Sequence, residues 1–330
     1  MEVDNVVRED MSAVSVWVRL FSKPTTPSII FIIALFLYFS IVAKGFLTSQ
    51  NIEAIIMQSS IIGIMAIGLN QVILAGEIDI STGSVLAVCC YAFGLVTNAS
   101  GSALVGAVAA VIFGGICGIL NGVLVALVKI PSFIVTLATM NVLRGLVLVY
   151  FGDGALGVLP GQRGLGMSGF LGINISSYIL LIVFLIFLYL SEHTEWGRNV
   201  YAIGGNMRAA RLAGLPINST LIRTFVYLGL CCGLAGVVLF SQIGQVQAIV
   251  GTNYELKVIA AVAIGGTSMD GGRGSAFAPL IGSILLGIIL NGMSIMAVPG
   301  TFEIFMFGLV ILLAVTVDAV RHKVVNRHYE

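Results

Sequence analysis

The sequence predicts an all-α, polytopic membrane protein with about ten transmembrane helices and two glycine-rich broken segments. Of its 330 residues, 58% are hydrophobic and only 9% are charged, and the mean hydropathy is +1.08. Soluble domains carry roughly 25% charged residues, so this chain is expected to lie in a bilayer. The net charge of +1 gives no indication of a nucleic-acid partner.

The first element is expected before the first membrane span. Within residues 11–21, Val14, Trp17, Val18 and Phe21 recur at helical spacing, which favours a short amphipathic helix on the inner membrane surface. The alternative is a frayed tail. Acidic residues near the start argue against a cleavable signal. We therefore expect a cytosolic tail at 1–26, a single transmembrane domain at 27–320 and a second cytosolic tail at 321–330.

Ten apolar segments follow, and a spanning helix needs roughly 20 such residues. They lie near 28–47, 53–74, 82–98, 102–128, 132–151, 172–190, 222–242, 255–268, 275–298 and 303–320. Cytosolic loops of membrane proteins are enriched in Lys and Arg. With the N-terminus inside, twelve of the sixteen Lys and Arg residues fall at cytosolic ends. Both termini are therefore expected in the cytosol, with 152–171 as the main external loop.

Two glycine-rich stretches, 76–84 and 265–275, interrupt the apolar pattern. Non-helical backbone at membrane depth is tolerated only where protein or water satisfies its polar groups. Paired interruptions in the two halves of a chain are typical of a transport pathway. The halves also share Ile-Leu-Asn-Gly at 119–122 and 289–292, a short match that leaves an internal repeat open.

Polar residues on the apolar segments are the candidate pathway residues. Carboxylates inside a membrane are costly, so Glu77 and Asp79 are functional candidates. Asp79, helped by Ser81, has a second interpretation as an acceptor for N–H groups at the start of the next helix. The remaining amides either line a passage or bind helices together; they are Asn70, Asn121, Asn141 and Asn291. The charge of Arg144 needs a partner, water or the outer interface.

The most polar stretch, 191–223, is the largest predicted cytosolic feature. Asn206 suits a helix N-cap, Gly214 suits the position after a helix, and Pro216 prevents continuation. The short helix between them carries two small residues that allow a partner to approach closely, Ala209 and Ala210, and two basic ones, Arg208 and Arg211. A membrane protein with one such capped helix is expected to receive force from another subunit through it.

Several functions are excluded by missing motifs. None of the five lysines follows a glycine, so the chain has no Gly-Lys-Ser/Thr loop for ATP. It also lacks hydrolase signatures, and its five cysteines lie inside apolar runs, where small-residue packing is the expected role. The spacing of Gly114, Gly118 and Gly122 indicates close helix packing. We expect no enzymatic activity, no metal and no cofactor held by this chain.

Five ordered motifs resemble the permease subunits of bacterial ribose-type sugar ABC importers, which are related to the autoinducer-2 permeases and, more distantly, to the branched-chain amino-acid ones. The motifs are Gly-Glu-Ile-Asp-Ile-Ser-Thr-Gly-Ser (76–84), Ile-Pro-Ser-Phe-Ile-Val-Thr-Leu-Ala-Thr-Met (130–140), Gly-Arg-Asn-Val-Tyr-Ala-Ile-Gly-Gly-Asn (197–206), Ala-Ala-Arg-Leu-Ala-Gly (209–214), and Tyr-Glu-Leu (254–256) followed by residues 263–268 and 271–275. The resemblance covers about residues 28–320.

The resemblance implies a ten-helix permease in the bacterial inner membrane that carries a monosaccharide such as ribose. Its implied partners are a second permease subunit, a cytosolic ATPase that binds ATP and Mg, and a periplasmic sugar-binding protein. The family's ATPase-coupling loop matches Gly204, Gly205 and Asn206 through Gly214. Glu77, Lys257 and Met269-Asp270 depart from common family residues, which leaves the substrate open.

Three alternatives remain beside this expectation. One is a permease of the same kind for autoinducer-2 or branched-chain amino acids. Another is a proton-coupled secondary carrier, which would need titrating groups in the passage. No membrane-embedded His accompanies the two acids, because all three histidines fall in predicted cytosolic segments. The last is an intramembrane enzyme, for which the sequence offers no nucleophile, base or metal set.

Overall fold

The computed structural model describes residues 25–152, 154–158, 169–170 and 173–300, together with 302, 305–306, 308–309, 312 and 316. This part of the chain forms eleven helices and four two-residue strands. The helices are α1 (Thr26–Val42), α2 (Ser49–Leu74), α3 (Thr82–Ser100), α4 (Ala103–Ala126), α5 (Ser132–Phe151), α6 (Ile175–His193), α7 (Glu195–Gly205), α8 (Met207–Leu212), α9 (Ile217–Ile243), α10 (Tyr254–Ile264) and α11 (Ala278–Ile295). The strands are β1 (Leu156–Gly157), β2 (Gly169–Phe170), β3 (Ile173–Asn174) and β4 (Gln245–Val246).

Among the described residues, seven helices are long and apolar enough to cross a membrane, namely α2 to α6, α9 and α11. The all-α class expected from the sequence is therefore confirmed, with seven candidate membrane spans. The predicted segment at 28–47 yields a shorter apolar helix, α1, of 17 residues. The segment at 255–268 yields only the 11 residues of α10, because the helix ends before the Gly265-Gly266 pair. At about 1.5 Å per residue, α10 is too short to cross a bilayer alone.

Several predicted elements lie outside the described residues. They are the interfacial helix at 11–21, most of the external loop at 152–171, most of the segment at 303–320 and the tail at 321–330.

Helix α2 forms the centre of the bundle. Every residue from Ser59 to Ala75 is buried, as expected for a helix that is apolar all round. Helices α6, α9, α10 and α11 all pack against it. The first interrupted segment therefore begins where this buried helix ends.

Helices α4 and α9 contact each other along a line of glycines, which we call the glycine seam (Gly114, Gly118, Gly229 and Gly233). A Cβ on Gly118 would lie 2.8 Å from the Cα of Val226, and one on Gly233 would lie 2.7 Å from the carbonyl oxygen of Ala110. Real Cβ atoms essentially never come within 3.0 Å. The close packing predicted from the glycine spacing in α4 is therefore found, with α9 as its partner.

The two ends of the bundle carry different structures. Strand β1 pairs antiparallel with β4, and β2 pairs with β3. Helix α6 runs from β3 to α7, and α9 returns from α8 to β4. The strands therefore lie at one end of the bundle, the strand end, and α7 and α8 lie at the other, the α7–α8 end.

Candidate functional site

The short helix α8 is held by local caps at both ends. The Asn206 side chain accepts a hydrogen bond from the Ala209 N–H at 3.0 Å. At the other end Gly214 has φ of +77°, and the Leu215 N–H donates to the Ala210 carbonyl at 3.1 Å. A left-handed φ favours glycine, because a Cβ would be strained there. Both caps were predicted from local sequence.

One face of α8 points into the protein and the other points away from it. Ala210 is buried in a small apolar cluster that includes Leu74, Val200 and Ile203. In contrast, Arg208, Ala209, Arg211 and Leu212 are exposed, and Leu212 is 90% exposed. The sequence suggested Ala209 and Ala210 together as docking positions. The structure places Ala210 on the inner face of α8, so only Ala209 of the two is exposed to a docking partner, and the docking itself stays a prediction.

Helix α7 ends in two glycines that meet both interrupted segments through main-chain contacts. We call this the glycine junction (Gly76, Gly204, Gly271 and Gly272). A Cβ on Gly204 would lie 2.7 Å from the Gly272 nitrogen, and one on Gly271 would lie 2.8 Å from the Gly76 Cα. The Gly272 N–H also donates to the Leu74 carbonyl at 2.9 Å. The C-terminal end of α7, which is joined to α8 through Asn206, is therefore in direct backbone contact with both interrupted segments.

The first interrupted segment covers residues 75–81, because α3 begins at Thr82. Residues 82–84 of the predicted stretch are therefore helical. Asp79 is 3% exposed, and one carboxylate oxygen accepts from the Ser81 N–H at 2.7 Å and from the Ser81 hydroxyl at 2.6 Å. This oxygen thus accepts hydrogen bonds from Ser81, the residue before α3, rather than from N–H groups inside the helix.

Asn121 joins this carboxylate to the neighbouring helices. Its amide nitrogen donates to the second Asp79 oxygen at 3.2 Å and to the Ser81 hydroxyl at 3.1 Å. Its amide oxygen accepts from the Thr139 hydroxyl at 2.7 Å. We call Asp79, Ser81, Asn121 and Thr139 the Asp79 network. A buried carboxylate is stable only with such partners, so the network fixes the segment against α4 and α5.

Helix α5 supplies further hydroxyls that the sequence analysis missed. Ser132 accepts from the Ile78 N–H at 3.2 Å, and Thr136 accepts from the Ile80 N–H at 3.3 Å. Ser132 also lies beside the half-buried Glu77 carboxylate. With Thr139, these hydroxyls recur at helical spacing on one side of α5. This helical spacing is the feature of the sequence that could have indicated their shared role.

The second interrupted segment covers residues 265–277, and α11 begins at Ala278. Thr267 donates its hydroxyl to the buried Asn70 side-chain oxygen at 2.6 Å. Asn291, also buried, donates to the Asn51 side chain at 2.8 Å. Asn70, Asn121 and Asn291 therefore all join separate parts of the chain.

Asn141 differs from the other three asparagines. It is exposed on α5, and its amide donates to the Leu137 carbonyl of the same helix at 2.8 Å. The structure thus brings Asp79, Ser81 and Asn121 together, with Glu77 near Ser132, and leaves Asn141 apart. Among the described residues, no group of three His, Cys, Asp or Glu side chains is placed to hold a metal.

Comparisons with known proteins agree with one family over most of the chain. Residues 51–315 match the family described as branched-chain amino acid transport system / permease component. The chain is 37% identical to the ribose import permease protein RbsC of Escherichia coli K12 over 298 residues, which cover 88% of this chain and 92% of RbsC.

Two further relatives extend this likeness. The L-arabinose ABC transporter permease protein AraH of Azospirillum brasilense is 35% identical over 291 residues, covering 88% of this chain and 86% of AraH. The autoinducer 2 import system permease protein LsrC of Salmonella typhi is 34% identical over 288 residues, covering 87% and 83%. No solved structure matches. The chain is therefore a member of the branched-chain amino acid transport system / permease component family.

Proposed function

We propose that this chain is the membrane-spanning permease subunit of an ATP-driven ABC importer that moves a monosaccharide across the bacterial inner membrane. Two relatives are named for pentoses, ribose and L-arabinose. The autoinducer-2 permease among the relatives favours that solute as the second candidate. The chain itself hydrolyses no ATP and holds no cofactor; ATP and Mg bind to a partner ATPase.

The observation that carries this proposal is the position of α8. Its exposed face presents Arg208, Ala209 and Arg211. The end of α7, which is joined to α8 through Asn206, contacts both interrupted segments through the glycine junction. A docked ATPase that moves α8 therefore displaces the backbone of both segments. Cations on α8 favour an acidic groove on that partner. The coupling site consists of Gly204, Gly205, Asn206, Arg208, Ala209, Arg211 and Gly214, with Ala210 anchoring the helix from inside.

The proposed assembly contains two permease subunits, a cytosolic ATPase and a periplasmic sugar-binding protein. Ten segments enter the membrane within one permease domain at 27–320, and both termini are cytosolic. The α7–α8 end then faces the cytosol, within the loop at 191–223, and the strand end faces the periplasm. The residues that hold the interrupted segments beside the passage are Asn70, Glu77, Asp79, Ser81 and Asn121. Asn291 joins α11 to α2 beside them, and Asn141 faces the passage or the second subunit.

A proton-coupled carrier is less consistent with the Asp79 network. Both oxygens of that carboxylate already accept hydrogen bonds, from Ser81 and Asn121. Hydrogen bonds to a carboxylate favour its charged form, whereas burial opposes it. A group that takes and releases a proton in each cycle would have to rearrange these bonds every time.

Transport measurements in proteoliposomes test the proposal. The chain is reconstituted with its ATPase and binding protein, and uptake of D-ribose and of L-arabinose is followed with ATP inside. We expect uptake that needs ATP and that a proton ionophore leaves unchanged. Uptake that persists without ATP and stops with the ionophore would show a secondary carrier instead.

The orientation has a separate test that uses the buried native cysteines. All five are buried, so an impermeant maleimide should report only introduced thiols. Asn98→Cys, at the strand end of α3, should react from outside the cell. Arg211→Cys, on α8, should react only after the membrane is opened; the reverse pattern would overturn the orientation.

A further inference from the structure

A cavity of about 500 Å³ lies at the strand end, between the last turns of α5 and the loop that joins β4 to α10. Pockets for small molecules usually enclose about 300–1,000 Å³. Its polar lining residues are Arg144, Gln247 and Thr252, and its apolar lining includes Leu148 and Ile249. It is distinct from the Asp79 network and from the glycine junction, and the function argued above does not use it.

The loop that forms one wall of this cavity is fixed by Arg144. The guanidinium Nη1 donates to the Ala248 carbonyl at 3.0 Å and to the Val250 carbonyl at 2.7 Å. Within the loop, the Thr252 hydroxyl donates to the Ile249 carbonyl at 2.6 Å. The wall is therefore held in shape before a ligand arrives, which reduces the entropy lost on binding.

Polar groups around the cavity keep hydrogen-bonding capacity for a ligand. Both Arg144 bonds start from Nη1, so within the described residues its Nε and Nη2 donors are not engaged. An arginine carries five N–H donors in a fork. Gln247 is exposed and adds an amide donor and an acceptor, while Leu148 and Ile249 offer apolar surface. Donors beside apolar surface suit a sugar ring, which carries hydroxyls at its edge and C–H groups on its faces.

The charge at the cavity favours an uncharged ligand. Arg144 is attracted by the Glu255 carboxylate, which lies in the first turn of α10. A cation with a nearby carboxylate partner gives a weak field for a second anion, whereas hydroxyl groups need only its free donors. The cavity is therefore better suited to a neutral polyol than to a phosphate or a carboxylate.

From these observations we infer that the cavity lined by Arg144, Gln247 and Thr252 binds a neutral pentose as it enters the permease from the strand end. This inference rests on the proposed function, because that function supplies the sugar and places the strand end on the periplasmic side.

Protection of an introduced thiol tests the inference in the full transporter in nanodiscs. Thr252→Cys places an exposed thiol in the cavity lining, and the native cysteines are buried. Ala99→Cys, exposed at the strand end of α3 but outside the lining, is the control. The probe is whichever of D-ribose and L-arabinose the wild-type transporter takes up. We expect it to slow maleimide modification of Thr252→Cys and to leave Ala99→Cys unaffected.

Two glutamines two residues apart provide a matched pair for affinity. Gln247 lines the cavity, whereas Gln245, on β4, is exposed outside it. In a double variant with Thr252→Cys, Gln247→Leu should raise the sugar concentration that gives half-maximal protection of the thiol. We expect an increase of about two- to tenfold, because this is the factor that corresponds to the loss of one hydrogen bond. Gln245→Leu should leave it unchanged.

The outcomes distinguish failure of the sugar site from failure of the proposed function. ATP-driven pentose uptake without protection at position 252, or equal weakening by both glutamine variants, would overturn the site and leave the proposed function standing. If the reconstituted wild-type transporter takes up neither pentose, the proposed substrate class is wrong and the site falls with it.

Discussion

Replacement of Gly204 by alanine is expected to disrupt the glycine junction. The added Cβ would lie 2.7 Å from the Gly272 nitrogen and 2.9 Å from the Leu74 carbonyl carbon, and closer still to the Leu74 oxygen. All three atoms belong to the main chain, so no flexible side chain can move aside. The backbone must separate, and the hydrogen bond from the Gly272 N–H to Leu74 would be stretched or lost.

The size of the effect follows from these contacts. Overpacking costs about 1–3 kcal/mol, and one lost hydrogen bond costs about 0.5–1.5 kcal/mol. Together these destabilise the closed junction by about 1.5–4.5 kcal/mol, a factor of roughly ten to two thousand in its equilibrium. The neighbouring Gly205 is the matched control, because a Cβ there has no atom within 4 Å. Both glycines lie in α7, so the gain in helix propensity is comparable in the two variants.

The assay compares Gly204→Ala with Gly205→Ala in the reconstituted transporter. We expect Gly204→Ala to unfold at a lower temperature and to take up at least tenfold less sugar per ATP hydrolysed. Gly205→Ala, whose added methyl group meets no atom of this chain, should unfold at the wild-type temperature and lose less coupling than Gly204→Ala. Equal melting temperatures and equal coupling in the two variants would refute the argument that these segments meet without room for a side chain.

Two further pairs of variants test other parts of the site. Asn121→Leu removes three hydrogen bonds from the buried Asp79 network. It should lower the melting temperature, since the one bond to the charged Asp79 is alone worth about 1.5–3 kcal/mol. Asn141→Leu, at an exposed amide whose described bond is to its own helix, should change the melting temperature little, and equal shifts in the two variants would contradict the network. Ala209→Glu should leave the melting temperature unchanged but reduce ATPase co-purification, because Ala209 is exposed. Ala210→Glu should lower the melting temperature itself, because it puts a carboxylate into an apolar cluster; normal melting of Ala210→Glu would show that α8 does not pack as described.

Local features of the site were predictable from the sequence because they depend on short-range rules. The Asn206 cap and the turn at Gly214 follow from side-chain and backbone chemistry within one helical turn. The orientation of α8 was not predictable in the same way. Its six residues are too few for a hydrophobic periodicity, and Ala209 and Ala210 are the same residue type on different faces.

The other features that the sequence did not predict depend on long-range contacts. The spacing of Gly114 and Gly118 indicates that some helix packs closely there, but a stripe of small residues does not identify its partner. The meeting of Gly204 with Gly272 likewise depends on the folded arrangement of three distant segments. Ser132 and Thr136 were missed because hydroxyls on a helix usually bond their own backbone, whereas here they also accept from the neighbouring segment.

The glycine seam has a consequence for how the protein can change shape. Because α4 and α9 touch at main-chain distance, rotation of one about its axis would drive side chains such as Phe225 into the backbone of the other. Packed interfaces of this kind tend to persist or separate rather than deform gradually. In any conformational cycle, α4 and α9 must therefore move together as one rigid body. Bending is left to the segments at 75–81 and 265–277, where the continuous helical hydrogen bonding of the neighbouring helices stops.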